Sequence, residues 1–115
     1  MNVSLTGPAA QSYARGKAFY EARRGQLNLS CANCHVEHAG GRLKGETISQ
    51  GQVNGFPVYR QLWQTMASLD RMFTLCIESV RSEPYPVGSP EYADLELYLR
   101  ARGGGLKIET PAVRR

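Results

Sequence analysis

The segment Cys31-Ala-Asn-Cys34-His35 constrains the fold of this chain more than any other feature. Two cysteines stand three positions apart, and a histidine follows the second at once. This C-x-x-C-H pattern is the attachment signal for a c-type haem. In such a site the thiols bond to two vinyl groups along one porphyrin edge, and the histidine lies under the iron as its proximal ligand. The motif therefore predicts a chain folded around one covalently attached haem.

Two other sites use similar residues. A thioredoxin-like dithiol normally follows a strand in a βαβ unit, and no such strand pattern is visible. A zinc site needs four ligands, and Cys31, Cys34, His35 and His38 supply that number. However, the adjacent Cys34 and His35 would crowd a tetrahedron. The haem interpretation is favoured over both, and His38 is expected at the surface or on the propionate side.

Length and composition limit the remaining possibilities. A chain of 115 residues, 42% hydrophobic and 21% charged, is predicted to form one domain over 1–115. No apolar run approaches the ~20 residues of a membrane span. The net charge of +4, without a long basic run, favours an acidic protein or a small anion as partner over nucleic acid. Since bacteria attach haem covalently outside the cytoplasm, we expect a periplasmic protein whose signal peptide has been removed.

Helical periodicity dominates the pattern of apolar residues. Helices are predicted over 9–24, over 58–69 and from Asp70 onward, where Asp70 would cap the start. A last helix is capped by Ser89, starts with Pro90 and ends at Gly103. Gly16 lies inside the first helix, where it either permits a close helix crossing or simply lowers helix propensity.

The other segments show no regular period. Glycine recurs through 39–57, which predicts a long irregular loop that wraps a cofactor. Residues 1–8 are expected to be flexible and 104–115 to form an extended tail. No convincing strand is visible, so the fold class predicted is all-α, a class I cytochrome c-like haem domain with long irregular loops.

The sixth iron ligand has three candidates: Met66, Met72 and Cys76. Electron-transfer cytochromes commonly use methionine, and spacing alone favours it. Met72 and Cys76 are four residues apart, so they share one face of a helix. The alternative role of the methionines is core packing, and that of Cys76 is a small buried apolar side chain.

Five stretches carry a resemblance to a known family: RRGQLNLSCANCH, GFPVYR, CIESVRSEPYPVGSPEY, LELYL and IETPAVRR. They resemble SoxA, the haem subunit of the SoxAX cytochromes of bacterial thiosulfate oxidation. The resemblance runs from about Tyr13 to Arg115 and corresponds to the C-terminal haem domain of SoxA. Longer members carry an additional N-terminal domain, sometimes with a second haem.

The resemblance implies a class I-like, all-helical cytochrome c in which Cys31 and Cys34 bind the haem and His35 is the proximal ligand. Cys76 matches the distal iron ligand of the family, often found as a persulfide. Together with the small cytochrome SoxX, family members join thiosulfate oxidatively to a cysteine of the carrier SoxYZ. The electrons leave through haem, so the expected activity is that of an L-cysteine S-thiosulfotransferase subunit.

The chain departs from the family near this cysteine. Met72 stands where the family has an arginine implicated in the active site, and Thr74 and Leu75 replace a typical Arg-Gly pair. Arg71 remains one place away, and Arg81 matches the arginine after the cysteine. Cys76, Arg81 and Arg71 are thus the candidate catalytic residues. The alternative is a diverged, non-catalytic electron-transfer subunit.

Overall fold

The computed structural model describes residues 2–43 and 46–115, so Gly45 of the predicted loop lies outside the described residues. The helices and strands follow in this order: α1 (Pro8–Glu21), a π-helical turn (Asn33–Glu37), β1 (Arg42–Leu43), β2 (Glu46–Thr47), β3 (Val58–Arg60), β4 (Thr65–Ala67), α2 (Leu69–Ser79), α3 (Pro90–Arg102) and β5 (Val113–Arg114). No helix in the described part of the chain is long and apolar enough to cross a membrane.

The crossing of α1 over α3 forms the centre of the fold. A Cβ atom on Gly16 would lie 2.8 Å from Tyr98 Cβ and still closer to the Asp94 carbonyl. Only glycine therefore lets the two backbones approach this closely. The rings of Tyr13 and Tyr20 pack against Tyr98 on either side of the contact, with centroids 5.3 and 5.2 Å apart. Of the two roles considered for Gly16, the structure shows the close helix crossing.

The last helix begins and ends where the sequence predicts. The Ser89 hydroxyl accepts a hydrogen bond from the Tyr92 N–H, Pro90 occupies the first turn, and Gly103 is the C-terminal cap. Tyr92 is fully buried and connects α3 to α2, because its hydroxyl lies 3.0 Å from Thr74 Oγ1 and accepts from the Tyr85 N–H.

The start of α2 differs from the prediction by two residues. Ser68, not Asp70, caps the helix by accepting a hydrogen bond from the Arg71 N–H. The Asp70 carboxylate instead accepts from the Gly88 N–H at 2.7 Å, which holds the loop before α3. Leu69, Phe73 and Ile77 form the buried face of α2.

The predicted helix over 58–69 is wrong. β3 and β4 form an antiparallel hairpin there, with Val58 opposite Ala67 and Arg60 opposite Thr65. Val58 and Ala67 are both fully buried, whereas Leu62 and Met66 are 62% and 46% exposed. A four-residue turn connects the strands, and its last residue has a left-handed backbone.

The all-α fold class is also wrong, because a three-stranded mixed sheet in the order β4-β3-β5 lies beside the helices. The C-terminal tail supplies β5, which runs parallel to β3 with Tyr59 opposite Val113. The Tyr59 N–H donates to the Ala112 carbonyl at 2.8 Å, so the extended tail satisfies backbone groups of β3. A short β1–β2 hairpin also interrupts the predicted irregular loop.

Candidate haem site

A side-chain network fixes the turn that carries the C-x-x-C-H motif. Asn33 Oδ1 accepts hydrogen bonds from the backbone N–H and the hydroxyl of Ser30, at 2.9 and 3.0 Å. The Ser30 hydroxyl accepts in turn from the Asn33 N–H, and Asn33 Nδ2 donates to Glu37. Ser30 and Asn33 are both buried. Sequence reasoning missed these two residues, although a serine three positions before an asparagine is a recognisable local pattern.

His35 is oriented by the loop that follows the motif. Its Nδ1 lies 2.9 Å from the Ser49 carbonyl oxygen, which favours the tautomer with a proton on Nδ1 and leaves the Nε2 lone pair available to a metal. Gly51 approaches the ring so closely that a Cβ atom there would lie 3.1 Å from His35 Cβ and 3.2 Å from Cγ. The imidazole is therefore held in the manner of a metal-ligating histidine.

The two motif cysteines are half-buried. Cys31 packs against the hydrophobic core. Burial raises the pKa of the Cys31 thiol, and the nearby Arg24 guanidinium opposes this shift. Arg24 is itself held by a hydrogen bond to the Phe19 carbonyl at 2.8 Å and by stacking on the Phe19 ring.

Cys76 lies within electrostatic range of the motif cysteines. Burial, together with the charges of Cys31 and Cys34, raises the pKa of Cys76 to about 11, and Arg60 opposes this shift. The three sulfur groups are thus near enough to interact electrostatically, although Cys76 comes from α2 and the others precede β1. The Cys76 side chain is nevertheless accessible to solvent. Protein atoms therefore surround the Cys76 thiol on most sides, and one side is open to solvent.

The methionines occupy different positions. Met72 packs against the core, which is the alternative role considered for it. Met66 lies on β4, where it is exposed beside the buried Ala67.

The two predicted arginines differ in their surroundings. The Arg71 guanidinium lies 4.0 Å from the centre of a Trp63 ring. Arg81 is exposed beyond the end of α2, and its left-handed backbone bonds to Glu78 and Gln26. A third arginine, Arg60, was missed, although it too lies 4.0 Å from the Trp63 ring. We call Arg60, Trp63 and Arg71 the arginine–tryptophan cluster. The incorrect helix assignment over 58–69 concealed it.

The zinc alternative has no geometric support. Within residues 2–43 and 46–115, no three His, Cys, Asp or Glu side chains converge as metal ligands would. His38 is exposed at the end of the π-helical turn. A haem does not require such convergence, because the pair of thiols on one turn, the imidazole with an oriented ring and the Cys76 sulfur on α2 would meet different parts of it. These residues fit a c-type haem with histidine and cysteine as iron ligands.

Comparisons with known proteins agree with this donor set. The chain is 43% identical over 114 residues to the L-cysteine S-thiosulfotransferase subunit SoxA of Paracoccus pantotrophus, covering 99% of this chain and 39% of that protein. It is 42% identical to the corresponding subunit of Rhodovulum sulfidophilum, covering 40% of that protein. A chain in the crystal structure of SoxXA from P. pantotrophus superposes with a TM-score of 0.95 at 43% identity. These findings support a SoxA-type cytochrome.

The similarity covers one part of longer proteins. The chain spans about two fifths of the length of these SoxA relatives. The superposition with the SoxXA chain covers 99% of this chain and 43% of the other. A search of protein-family models finds none that matches the chain. The assignment as a SoxA-type cytochrome implies a haem-containing subunit, and the mixed sheet described above is part of its cytochrome c-like fold.

Proposed function

We propose that this chain is the haem domain of a periplasmic SoxA-type L-cysteine S-thiosulfotransferase subunit, which joins thiosulfate to a cysteine of a SoxYZ-like carrier. The observation that carries the proposal is the His35 ring, which the Ser49 carbonyl orients directly after the two motif cysteines. Cys76, whose side chain is accessible to solvent, interacts electrostatically with those cysteines, and its sulfur would lie against the bound haem. The SoxA names of the relatives and the SoxXA complex of the structural neighbour support a SoxX-like small cytochrome as partner.

Four residues would hold the cofactor. Cys31 and Cys34 would attach one haem through thioether bonds, His35 Nε2 would be the proximal iron ligand, and Cys76 the distal one. The Ser49 carbonyl keeps the His35 ring in place, as partners of metal-ligating histidines do. The bound haem supplies one-electron acceptance, and a thiolate ligand would lower its potential by stabilising the ferric state.

The conjugation must release two electrons and one proton. A carrier thiol and a thiosulfate dianion form one sulfur–sulfur bond, and the product is a carrier S-thiosulfonate monoanion. The thiol proton leaves to solvent. The two electrons require two one-electron acceptors, and the haem of this chain and that of a SoxX-like cytochrome would each take one. Cys76 would act as the sulfur group that receives and passes on the thiosulfate, with Arg71 and Arg81 as cations near its anionic end.

Replacement of Cys76 tests the proposal. Cys76→Ala should retain covalent haem and lose thiolate-type absorption and conjugation of thiosulfate to the carrier. Met72→Leu is the matched control, because it preserves core volume on the same face of α2 and should keep both properties. Unchanged turnover in Cys76→Ala would refute the catalytic role of the cysteine.

The second candidate is a non-catalytic electron-transfer subunit. The observation that favours it is Met72, which stands in place of the arginine expected from the family and packs against the core. Fast electron exchange with a small cytochrome, together with no conjugation activity in the wild-type chain assembled with its partner, would establish this alternative.

A further inference from the structure

A short loop, residues 24–29, directly precedes the haem-attachment turn. The backbone groups of Arg24 and Leu29 exchange two hydrogen bonds of 3.2 Å and thereby close a four-residue turn. The buried Ser30 follows at once, and its hydrogen-bond network fixes the C-x-x-C-H turn. The position of the 24–29 loop is therefore coupled to that of the haem-attachment turn.

The same loop is hydrogen-bonded to the backbone at the end of α2. The Leu27 N–H donates to the Val80 carbonyl, and the Gln26 N–H donates to the Arg81 carbonyl, both at 3.3 Å. Val80 is the C-terminal cap of α2 and lies about one helical turn beyond Cys76. The loop thus joins the haem-attachment segment directly to the helix that carries Cys76.

Gly25 marks the closest approach of the loop to α2. Its φ is 72°, and a Cβ atom on it would lie 3.0 Å from the Arg81 carbonyl carbon and the Ser82 nitrogen, and still closer to the Val80 carbonyl oxygen. All three are backbone atoms, so no side chain can rotate away to make room. Because carbon atoms in contact normally lie about 3.5–4 Å apart, an added methyl group would push the two backbones apart by roughly 1 Å. Glycine therefore permits the short distance between the loop and α2.

A displacement of this size matters at an iron ligand. The groups of a functional site have to stay within about 0.5 Å of their working geometry, and Cys76 lies about one helical turn before the contact. We propose that the 24–29 loop sets the distance between Cys76 and the haem iron, and that Gly25 is its positioning residue. The inference rests on the proposed function, which makes Cys76 the distal ligand.

Imidazole tests this role, because it binds the iron of a six-coordinate haem only by displacing a ligand. Absorption titration of the ferric, haem-loaded protein would compare wild type with Gly25→Ala and Gly105→Ala. Gly105 has a φ of 88° and no neighbour within 4 Å, so its variant matches the backbone strain without the contact. Gly25→Ala should lower the Kd for imidazole about tenfold or more, and Gly105→Ala should stay within about twofold of wild type.

The Cys76→Ala background separates positioning from a general weakening of the haem site. Without the sulfur ligand, imidazole has no competitor whose distance from the iron Gly25 could set. Cys76→Ala should therefore bind imidazole more tightly than wild type, and adding Gly25→Ala should change that Kd by less than about twofold. The midpoint of urea unfolding should still fall, because the contact with the end of α2 remains strained. An effect of about tenfold that persists without Cys76 would overturn the proposal.

Failure of the positioning role differs from failure of the proposed reaction. Equal Kd values for Gly25→Ala and Gly105→Ala overturn the positioning role, even if thiosulfate is conjugated to the carrier. A lower Kd for Gly25→Ala that depends on Cys76 supports it, even if the assembled wild-type protein conjugates nothing. If Cys76→Ala binds imidazole no more tightly than wild type, Cys76 is not the distal ligand, and the positioning role falls with it.

A milder change decides if Gly25→Ala does not load haem. Gln26→Pro removes the N–H that donates to the Arg81 carbonyl. Proline suits this second position of the turn, in which the Asn28 N–H donates to the Gly25 carbonyl at 3.1 Å. Gln26→Ala keeps the N–H and is the matched control. Gln26→Pro should lower the Kd for imidazole about threefold relative to Gln26→Ala, and equal values would overturn the proposal.

Discussion

The α1–α3 crossing and the β3–β4 hairpin differ in how many of their side chains they bury. The crossing is formed by buried residues around Gly16 and Tyr98, and it supports the segment that carries the haem-attachment motif. The hairpin buries Val58 and Ala67 but exposes Leu62 and Met66. We infer that stability resides mainly in the crossing and less in the hairpin.

The largest effect should follow from filling the crossing. Gly16→Ala would gain about 1 kcal/mol in helix propensity, but its Cβ would collide with backbone and side-chain atoms of α3. We expect a net loss of about 2 kcal/mol, and about 3 kcal/mol or more for Gly16→Val. Thermal unfolding of the haem-loaded protein would measure this. Lys17→Ala, at an exposed neighbouring position, should change stability little. A stabilised Gly16→Ala would mean that the helices do not meet here.

A smaller effect should follow from adding a methyl group beside His35. Gly51 has a φ of 74°, and an added Cβ would contact the imidazole ring. Gly51→Ala should lower the free energy of unfolding by about 1–2 kcal/mol, because alanine is strained at this positive φ. It should also shift the haem absorption spectrum. Gly105→Ala is the matched control, because its φ of 88° is similar but no neighbour lies within 4 Å. Equal spectra for both variants would contradict the proposed support of His35.

Loss of one hydroxyl should weaken the connection between α2 and α3 modestly. Tyr92→Phe removes the acceptor of the Tyr85 N–H and the partner of Thr74. The free energy of unfolding should fall by about 1 kcal/mol, measured from the midpoint of urea unfolding. Tyr85→Phe should cost less than about 0.5 kcal/mol, because its side chain is more exposed. A reversed order of the two variants would contradict the role of Tyr92.

The smallest effect is expected at the tip of the hairpin. Leu62 is 62% exposed, so Leu62→Ser should change the free energy of unfolding by less than about 0.5 kcal/mol. The same urea unfolding experiment measures it. A loss above about 1 kcal/mol would show that the hairpin contributes to stability, and the contrast with the crossing would then fail.

Signals that act over a few residues were recognisable in the sequence. The C-x-x-C-H motif, the Ser89 cap with Pro90, the end at Gly103 and the close approach at Gly16 each depend on a residue type at a local position. These features predicted the haem-attachment turn, α3 and the crossing. Family resemblance added Cys76 and the SoxA assignment, neither of which spacing alone favoured.

Only the tertiary structure decided the sheet and the surroundings of Arg60. Val58–Arg60 becomes a strand because β4 and the distant β5 supply its hydrogen-bond partners. No local sequence pattern indicates a partner strand more than fifty residues away. The same pairing places the Arg60 guanidinium 4.0 Å from the centre of a Trp63 ring. The sequence by itself therefore determined which cofactor chemistry this protein can hold. Long-range packing determined which charges surround the sulfur, because such charges come together only when separate segments fold against one another.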